Sequence, residues 1–372
     1  MRVLIIGAGI GGLAAARALS ADGHEVTVFE QAPGLRHTGA ALTLWSNGTG
    51  ILRELGVPLD GVGSAIDALE SRDHRGRLLV SVDVAQAAAR YGHPHICLPR
   101  ARLLERLAAG LPAGLLVFGQ ACTGAEQDGA QVRARFADGA TASGDLLIAA
   151  DGRGSVVRDQ LWGRDPAQLT GWGTWQGVTP IPIGITSSGR SVLFIGRAGT
   201  CGLMPAGEGL LQWWFDQRWT PDTPPAPALT TLRERFGGWA APVADVLAAV
   251  TDADTGFFPH YRHAVPRTWG TGRITVIGDA AHSMPPTRAQ GANQALEDAW
   301  AMAGALRAAT DVPTALRAFE QARSPKASLV ARQAGREDYN RYGTLLARLT
   351  PASLASRYYT RWLGQISNYL PS

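Results

Sequence analysis

Apolar residues recur along the first part of the chain with two spacings, one typical of strands and one typical of helices. An apolar run from Val3 to Ile6 leads into an alanine-rich helical stretch, and a second strand follows from Glu25 to Phe29. Helical spacing returns from Ser46 to Leu55 and from Pro99 to Leu107. The order strand, helix, strand predicts an α/β fold. Further strands are predicted at Leu115 to Phe118, Gln131 to Phe136 and Leu146 to Ala149, with a hairpin turn at Asp138-Gly139.

The pattern changes after residue 170. Short runs typical of strands dominate from about Trp172 to Phe215, and the proline-rich stretch from Thr220 to Pro227 is predicted to be a loop. A strand returns from Ile274 to Ile277, which we expect to rejoin the first sheet, and helical patterns follow. We therefore expect a discontinuous α/β domain at 1–170 and 265–345, an inserted β-rich domain at 171–264 and a C-terminal helical segment at 346–372.

Length and composition limit the classes of protein that fit. The chain has 372 residues, 45% of them hydrophobic, with no signal peptide and no uninterrupted apolar run of about 18 residues, so we expect a cytoplasmic protein without a membrane partner. Cys97, Cys122 and Cys201 are scattered without a CxxC pair, which predicts neither a disulfide nor a metal site. The net charge is +4, but the arginines are spread along the chain, so we expect no nucleic-acid partner.

A glycine-rich turn indicates what the first domain binds. Gly7-Ala8-Gly9-Ile10-Gly11-Gly12 connects the first strand to the first helix. Gly7 allows a sharp turn, Gly9 allows backbone N–H groups to approach a pyrophosphate, and Gly12 allows the helix to pack on the strand. Glu30, at the end of the second strand, can accept hydrogen bonds from an adenosine ribose. Because an acid there disfavours a 2′-phosphate, the motif predicts FAD or NAD rather than NADP.

Two more motifs follow the ends of predicted strands. One runs from Asp145 to Arg158 and contains Asp151-Gly152. The other runs from Ile277 to Pro286, contains Gly278-Asp279, and is followed by Gln290 to Ala299. With the three motifs in this order, nearly the full chain resembles the single-component group A FAD-dependent monooxygenases of the para-hydroxybenzoate hydroxylase type. Within that group, Gly39 to Asn47 is most similar to the salicylate hydroxylase, zeaxanthin epoxidase and urate hydroxylase branch.

The resemblance implies a Rossmann-like FAD-binding domain of the GR2 type, an inserted β-sheet substrate domain and C-terminal helices. Asp279 is suited to accept hydrogen bonds from the ribityl hydroxyls, and the helix after Gly291 directs N–H groups at the flavin pyrimidine oxygen. Asp151, with Arg158 bracing it, organises FAD and a transient site for NADH or NADPH. The implied cofactor-binding residues are Gly7, Gly9, Gly11, Gly12, Glu30, Arg36, Thr43, Arg100, Asp151, Asp279, Pro286, Gly291, Ala292 and Asn293.

The reaction implied is oxygenation of an apolar aromatic or conjugated small molecule. NAD(P)H reduces FAD, O₂ gives a flavin C4a-hydroperoxide, and one oxygen atom passes to the substrate. The cofactor carries this chemistry, so we expect no acid–base catalytic set and no metal, only a dry pocket. The expected partners are the substrate and O₂, and the chain is expected to be a monomer or weak dimer. Candidate pocket residues are Trp175, Gln176, Leu203, Met204, Gln212 and Trp214, and strand alternation puts Gln212 and Trp214 on one face.

Two departures from the family pattern lie close to this chemistry. The family has Gly-Gln-Gly where this chain has Ala289-Gln290-Gly291, and alanine costs about 1 kcal/mol or more if that position needs a positive φ. An arginine expected for urate just before Leu-Met-Pro is replaced by Thr200-Cys201-Gly202. This replacement disfavours urate as the substrate.

Other interpretations share these motifs. A flavin-dependent dehydrogenase or reductase of the same fold, or a flavin-binding protein without turnover, stays open. A flavin halogenase needs a lysine near the flavin, whereas Lys326 lies in the C-terminal helical region and the halogenase tryptophan motif is absent. For some polar and aromatic residues we expect ordinary structural roles: a packed or capping His282, a surface loop for His37, a helix face for Asp298 and a core for Trp213-Trp214.

Overall fold

The computed structural model describes residues 1–36, 39–222, 228–336 and 349–371. Its strands are β1 (Arg2–Ile6), β2 (Glu25–Glu30), β3 (Ala41–Leu44), β4 (Ser64–Ala65), β5 (Ala68–Asp73), β6 (Leu78–Asp83), β7 (Ile96–Pro99), β8 (Leu116–Phe118), β9 (Cys122–Asp128), β10 (Gln131–Phe136), β11 (Thr141–Gly144), β12 (Leu146–Ala149), β13 (Gln168–Pro180), β14 (Arg190–Gly196), β15 (Gly199–Gly207), β16 (Leu210–Arg218), β17 (Gly256–Arg262), β18 (Gly270–Thr271) and β19 (Ile274–Val276). Its α-helices are α1 (Ile10–Ala21), α2 (Ser46–Glu54), α3 (Ala85–Tyr91), α4 (Arg100–Ala108), α5 (Val156–Trp162), α6 (Ala228–Phe236), α7 (Ala241–Ala249), α8 (Asp279–His282), α9 (Gly291–Ala308), α10 (Val312–Ala334) and α11 (Ala352–Ile366). Short 3-10 helices cover Gly184–Ser187, Asp252–Asp254 and Pro286–Arg288.

The predicted strand–helix–strand unit forms the centre of a mainly parallel sheet with strand order β18-β19-β12-β1-β2-β8. β1 pairs in parallel with β2 on one side and with β12 on the other. Residues 3–6 are all buried, as expected for an uninterrupted apolar strand covered on both faces. β19 pairs in parallel with β12, so the chain returns to its first sheet after the insertion. This return confirms the predicted α/β architecture.

A second, mainly antiparallel sheet has strand order β17-β13-β16-β15-β14-β5-β6. Most of its strands come from the predicted β-rich segment, but β5 and β6 come from residues 68–83, which the sequence analysis placed in the first domain. They join through a parallel pairing of β5 with β14. Local periodicity predicts that a segment forms a strand but not which sheet it joins. The domain boundaries given above stay a prediction.

The two faces of the second sheet have different surroundings because side chains alternate along each strand. One face carries Trp213 and Phe215 and packs against α6 and α7 in a closed core. The opposite face carries Met204, which packs with Ala41 of β3 and Cys97 of β7. This second face, called the near face below, therefore lies against the strands that lead to the cofactor motifs.

The C-terminal segment packs beside the start of α2. α11 contacts α10, α3 and β6. Trp45, just before α2, shares a buried cluster with Val330 of α10 and Leu363 of α11. The helix predicted within 346–372 is thus present, whereas His37 and most of the predicted loop at 220–227 lie outside the described residues.

Within the described ranges, the helices are all too short or too polar to cross a bilayer.

Candidate cofactor and substrate site

The glycine turn after β1 needs glycine at two positions for different reasons. Gly7 has a φ of +101°, and its N–H donates to the Phe29 carbonyl at 2.7 Å. A Cβ at Gly12 would lie 2.0 Å from the Gly7 carbonyl oxygen, so only glycine lets α1 pack this close to the turn. At Gly9, a Cβ would meet none of the described atoms within 4 Å. The Gly9 backbone therefore borders open space at the N-terminus of α1, which is where a pyrophosphate fits.

One cleft brings together predicted residues from separate parts of the chain. It begins at Glu30, whose carboxylate accepts the N–H of Ala8 at 2.8 Å and of Ala32 at 3.0 Å. These bonds fix the carboxylate at the end of β2 and leave lone pairs for a ribose hydroxyl. The sequence-predicted residues that line the cleft are Gly7, Gly9, Glu30, Arg36, Arg100 and Asp151.

The cleft also contains Gln120 and Cys122, which the sequence analysis missed. Both follow β8, the neighbour of β2, so they lie near Glu30 at the carboxyl edge of the sheet. A polar residue just after a parallel strand was the signal available for Gln120. Gly11 is not brought into the cleft: a Cβ there would contact Ala295 at 3.4 Å, so this position serves the packing of α1 on α9.

Asp151 lies in the cleft directly after β12. One carboxylate oxygen accepts the Val156 N–H at 3.0 Å, and the other is buried with no hydrogen-bond partner among the described residues. Burial raises the pKa of this carboxyl. The expectation that Arg158 braces Asp151 is wrong, because the guanidinium donates instead to the carbonyls of Ala280 at 3.1 Å and Ala281 at 3.3 Å. An acceptor oxygen left over beside the glycine turn fits a donor group of a cofactor.

Asp279 is placed by the backbone around it. Gly278, with a φ of +60°, turns the chain from β19 into α8, and Arg158 anchors the carbonyls of that short helix. The Asp279 side chain is exposed, and its carboxylate makes no hydrogen bond to any residue that the structure describes. An exposed carboxylate with unused lone pairs, carried by this well-held backbone, is suited to the ribityl hydroxyls of FAD.

Ala289 adopts the left-handed conformation that the family pattern reserves for glycine. Its φ is +48° and its ψ is +37°. The Ala289 carbonyl accepts the indole N–H of Trp45 at 3.1 Å and the amide N–H of Asn293 at 2.9 Å. The condition under which alanine is costly is therefore met, and these two bonds help to hold the strained residue in place.

The N-terminus of α9 follows this strained residue. The N–H groups of residues 291–293 are the first of the helix and have no acceptor within it. The Asn293 side chain is fully buried. Its amide oxygen accepts the backbone N–H of Trp45 at 2.9 Å, and its amide N–H donates to the Thr43 carbonyl at 3.0 Å. Asn293 can therefore reach a cofactor through its backbone only. Pro286 is exposed at the start of the 3-10 helix that precedes α9.

A buried charge cluster lies beneath the third motif and was not predicted. Asp298, expected on an ordinary helix face, is fully buried and accepts His282 Nε2 at 2.6 Å and Arg323 Nε at 2.8 Å. Asp298 also accepts the Gly278 N–H at 2.9 Å, and Arg323 donates to Glu297 at 2.8 Å. Burial alone raises the pKa of Asp298, but attraction to His282 and Arg323 lowers it to about 2. The cluster ties the backbone beside Asp279 to α9 and α10.

The six predicted pocket residues are divided between the two faces of the second sheet. Trp175 and Leu203 belong to the core with α6 and α7, so they do not face the cofactor motifs. Directly opposed residues of antiparallel strands share a face, and the pairings here are Gln176 with Trp214 and Met204 with Gln212. The near face therefore carries four of the six: Gln176, Met204, Gln212 and Trp214.

Two contacts join this near face to the first domain. The Thr43 hydroxyl donates to Met204 Sδ at 3.2 Å, and the Cys97 thiol donates to Gln212 Oε1 at 3.4 Å. Beside them, a Cβ at Gly202 would lie 1.9 Å from the Trp214 indole. Trp214 thus occupies the space that any side chain at position 202 would need. The four near-face residues named above form an uncharged wall next to Thr43.

Comparison with known proteins agrees with this geometry. A family model described as "FAD binding domain" matches residues 1–334. Aurachin C monooxygenase/isomerase from Stigmatella aurantiaca is 34% identical over 88% of this chain and 86% of its own length. A 3-amino-4-hydroxybenzoate 2-monooxygenase from Streptomyces platensis is 34% identical over 89% of this chain and 86% of its own length.

A solved structure with the same fold also contains FAD. Klebsiella pneumoniae HpxO, complexed with FAD and uric acid, matches with a TM-score of 0.92 and 27% identity, covering 98% of this chain and 97% of its own. Nearly the whole chain thus shares its fold with a protein that binds FAD. The chain belongs to the FAD binding domain family and is a group A FAD-dependent monooxygenase.

Proposed function

We propose that this protein uses NADH or NADPH and O₂ to oxygenate an uncharged aromatic or conjugated small molecule. The observation that carries the proposal is the contact between Thr43, a predicted cofactor residue, and Met204 of the uncharged wall. A flavin held along the cofactor residues would have its ring end beside that wall. Substrate bound against the wall then lies next to the flavin.

The chain offers suitable groups along the whole length of FAD. Glu30 provides acceptors for the adenosine ribose, the backbone at Gly9 borders the pyrophosphate, and Asp279 provides acceptors for the ribityl chain. The free N–H groups of residues 291–293 form the positive end of the α9 dipole, which would meet the flavin pyrimidine ring of bound FAD. A positive helix end favours the reduced, anionic flavin.

When bound and reduced by NAD(P)H, FAD activates O₂ so that one oxygen atom enters the substrate and the other leaves as water. The protein contributes position and exclusion of water. Met204 is buried and Trp214 half-buried, so they give the wall an apolar surface, while the Gln212 amide can orient one polar group of a ligand.

The charge of the wall supports a neutral substrate. Gly202 and Trp214 leave no room for a cationic side chain at position 202, so this position offers no partner to an anionic substrate. Burying an unpaired carboxylate beside Met204 and Trp214 is unfavourable. The substrate is therefore expected to differ from 3-amino-4-hydroxybenzoate, which the Streptomyces relative oxidises according to its name.

Halogenation finds no support in the position of the single lysine. Lys326 lies in α10, and its ammonium donates to the Gln365 carbonyl of α11. This bond holds the side chain against the C-terminal helix rather than beside Thr43 or Met204.

The test is a screen of neutral aromatic compounds for stimulated NAD(P)H oxidation, followed by reaction under ¹⁸O₂. We expect one ¹⁸O atom in the product and the second in water, with wild-type protein stripped of FAD as the inactive control. Substrate-dependent NAD(P)H oxidation without ¹⁸O in the product would instead identify a dehydrogenase or reductase. FAD binding without any NAD(P)H oxidation would identify a protein without turnover.

A further inference from the structure

His95 and Tyr359 carry two buried polar atoms that no described residue pairs. The Tyr359 hydroxyl and His95 Nδ1 are both shielded from solvent and have no hydrogen-bond partner within the described ranges. Tyr359 comes from α11 and His95 from the residue before β7, yet their rings lie 6.1 Å apart, edge to face. Because folded proteins seldom leave buried polar atoms unpaired, two such neighbours indicate a shared ligand.

The hydrogen bonds around His95 decide which of its ring nitrogens is the acceptor. Ser46 Oγ donates its only proton to the His93 carbonyl at 2.9 Å. His95 Nε2 lies 2.8 Å from the same oxygen, so it must be the donor to Ser46. Burial lowers the pKa of His95 to about 4, which keeps the ring neutral near pH 7. Nδ1 is then a free acceptor, and it stands close to Tyr359, whose hydroxyl is a free donor.

The pair lies between the uncharged wall and the loop before α9. Tyr359 packs against the cluster that contains Met204 and also against the cluster that contains Trp45. The Trp45 ring is 5.2 Å from the His95 ring and 5.8 Å from the Tyr359 ring, edge-on to both. Its indole N–H donates to the carbonyl of Ala289, which directly precedes the helix predicted to meet the flavin. The two unpaired atoms are therefore at the border of the proposed substrate site.

We propose that His95 and Tyr359 bind the polar edge of the substrate and determine its specificity. Nδ1 of His95 accepts a ring N–H, and the Tyr359 hydroxyl donates to the carbonyl oxygen next to it. A flat, uncharged ring that offers a donor beside an acceptor is a cyclic amide, the tautomer of a hydroxy-N-heteroaromatic. This inference rests on the proposed function only in identifying the bound ligand with the substrate.

The experiment measures binding of two ring compounds of equal size to the FAD-loaded protein without NAD(P)H. The probes are 2-quinolone, which has N–H beside C=O, and coumarin, in which an oxygen replaces that N–H. Wild-type protein should bind 2-quinolone about tenfold more tightly than coumarin, as expected for one buried hydrogen bond. Calorimetry or equilibrium dialysis gives both dissociation constants.

Two variants assign the bonds to their residues. Tyr359→Phe should weaken both probes about tenfold, because both carry the carbonyl. His95→Phe should weaken 2-quinolone alone and abolish the preference over coumarin. Tyr358→Phe is the matched control, since it removes the same atom from a residue that is 70% exposed on the same helix, and it should change neither constant.

A stability measurement separates this role from a structural one. Tyr359→Phe should melt at or above the wild-type temperature, because the hydroxyl has no described partner to lose. Equal wild-type affinities for the two probes, no binding of 2-quinolone, or a Tyr359→Phe variant that binds both as wild type overturns the inference. If the binding pattern holds but no product carries ¹⁸O, the proposed function fails and the pair stands. If ¹⁸O enters a substrate whose affinity is unchanged by both substitutions, the proposed function stands and the role of the His95–Tyr359 pair fails.

Discussion

The cofactor cleft and the uncharged wall meet at Thr43 and Met204 but are built in different ways. The cleft depends on backbone geometry: the turn at Gly7 and Gly12, and carboxylates at the ends of strands or within three residues of them. The wall depends on side chains that share one face of a sheet assembled from distant segments. Backbone geometry demands particular residues at fixed positions and therefore leaves a motif. A wall demands only shape and polarity, so it leaves none.

This comparison implies that cofactor binding and substrate selection can be lost separately. The predictions below test that separation, beginning with the substitution that should affect both.

Arg323→Met should cause the largest loss, because it leaves Glu297 and Asp298 buried without their cationic partner. We expect the free energy of unfolding to fall by about 3 to 5 kcal/mol. Arg332→Met, on an exposed position of the same helix, should cost less than about 1 kcal/mol. Urea denaturation of both variants makes the measurement, and equal stabilities would show that the cluster is not a stabilising unit.

Gly12→Ala and Gly9→Ala should separate packing from cofactor contact within one motif. The new Cβ at position 12 would lie 2.0 Å from the Gly7 carbonyl oxygen, so we expect a loss of about 3 kcal/mol and loss of FAD with it. At position 9 the Cβ meets no described atom within 4 Å, so the apoprotein should keep its melting temperature and bind FAD more weakly. Identical behaviour of the two variants would contradict this division of roles.

Asp279→Ala should weaken FAD binding without unfolding the protein. It removes an exposed carboxylate with no described partner, so we expect a loss of about 1.5 to 3 kcal/mol in FAD binding and little change in melting temperature. Asp279→Asn keeps one acceptor oxygen, so its FAD affinity should lie between those of the wild type and Asp279→Ala. FAD fluorescence on titration reports the dissociation constant, and wild-type affinity in Asp279→Ala would remove this residue from the cofactor site.

Ala289→Gly should have the smallest effect, and it should affect both FAD binding and the use of substrate. Relief of the left-handed alanine is expected to stabilise the protein by about 1 kcal/mol and to tighten FAD binding or improve coupling. Glu208 is the matched control, since its φ is +55° at a turn between β15 and β16. Glu208→Gly relieves the same kind of strain but also removes an exposed ion pair with Arg102, so it should stabilise the fold by less than about 1 kcal/mol while leaving FAD affinity unchanged. If Ala289→Gly gains nothing, the bonds from Trp45 and Asn293 already offset the strain.

The sequence was informative where a function needs a particular backbone. The turn at Gly7 and the close packing at Gly12 were predicted from the first motif, and the structure shows both. The motifs also singled out Ala289 as costly if its φ is positive, and its φ is positive. Alternation along β16 placed Gln212 and Trp214 on one face, but periodicity could not assign Trp175 and Leu203 to the opposite core. That assignment requires knowing which strands pair and what covers each face.

Other parts of the site carry no local signal. The Asp298 cluster forms only because α8, α9 and α10 meet, and the His95–Tyr359 pair joins residues 264 positions apart in the chain. Strands β5 and β6 look like any other short strands, yet they complete the second sheet. Such long-range pairings depend on the whole fold and not on the spacing of nearby residues.

The most direct test of the two-part account is the yield of hydrogen peroxide per NAD(P)H consumed, measured with a productive substrate in Trp214→Ala and Trp175→Ala. Trp214 lies on the near face and is only half-buried, so its loss should cost less stability than the loss of Trp175 and leave FAD bound, while peroxide per NAD(P)H rises. Trp175 packs in the opposite core, 4.8 Å from the Phe257 ring, so its loss should cost about 3 to 5 kcal/mol of stability without a selective rise in peroxide. Loss of FAD and stability in both variants, with no selective rise in either, would contradict the placement of the substrate on the near face.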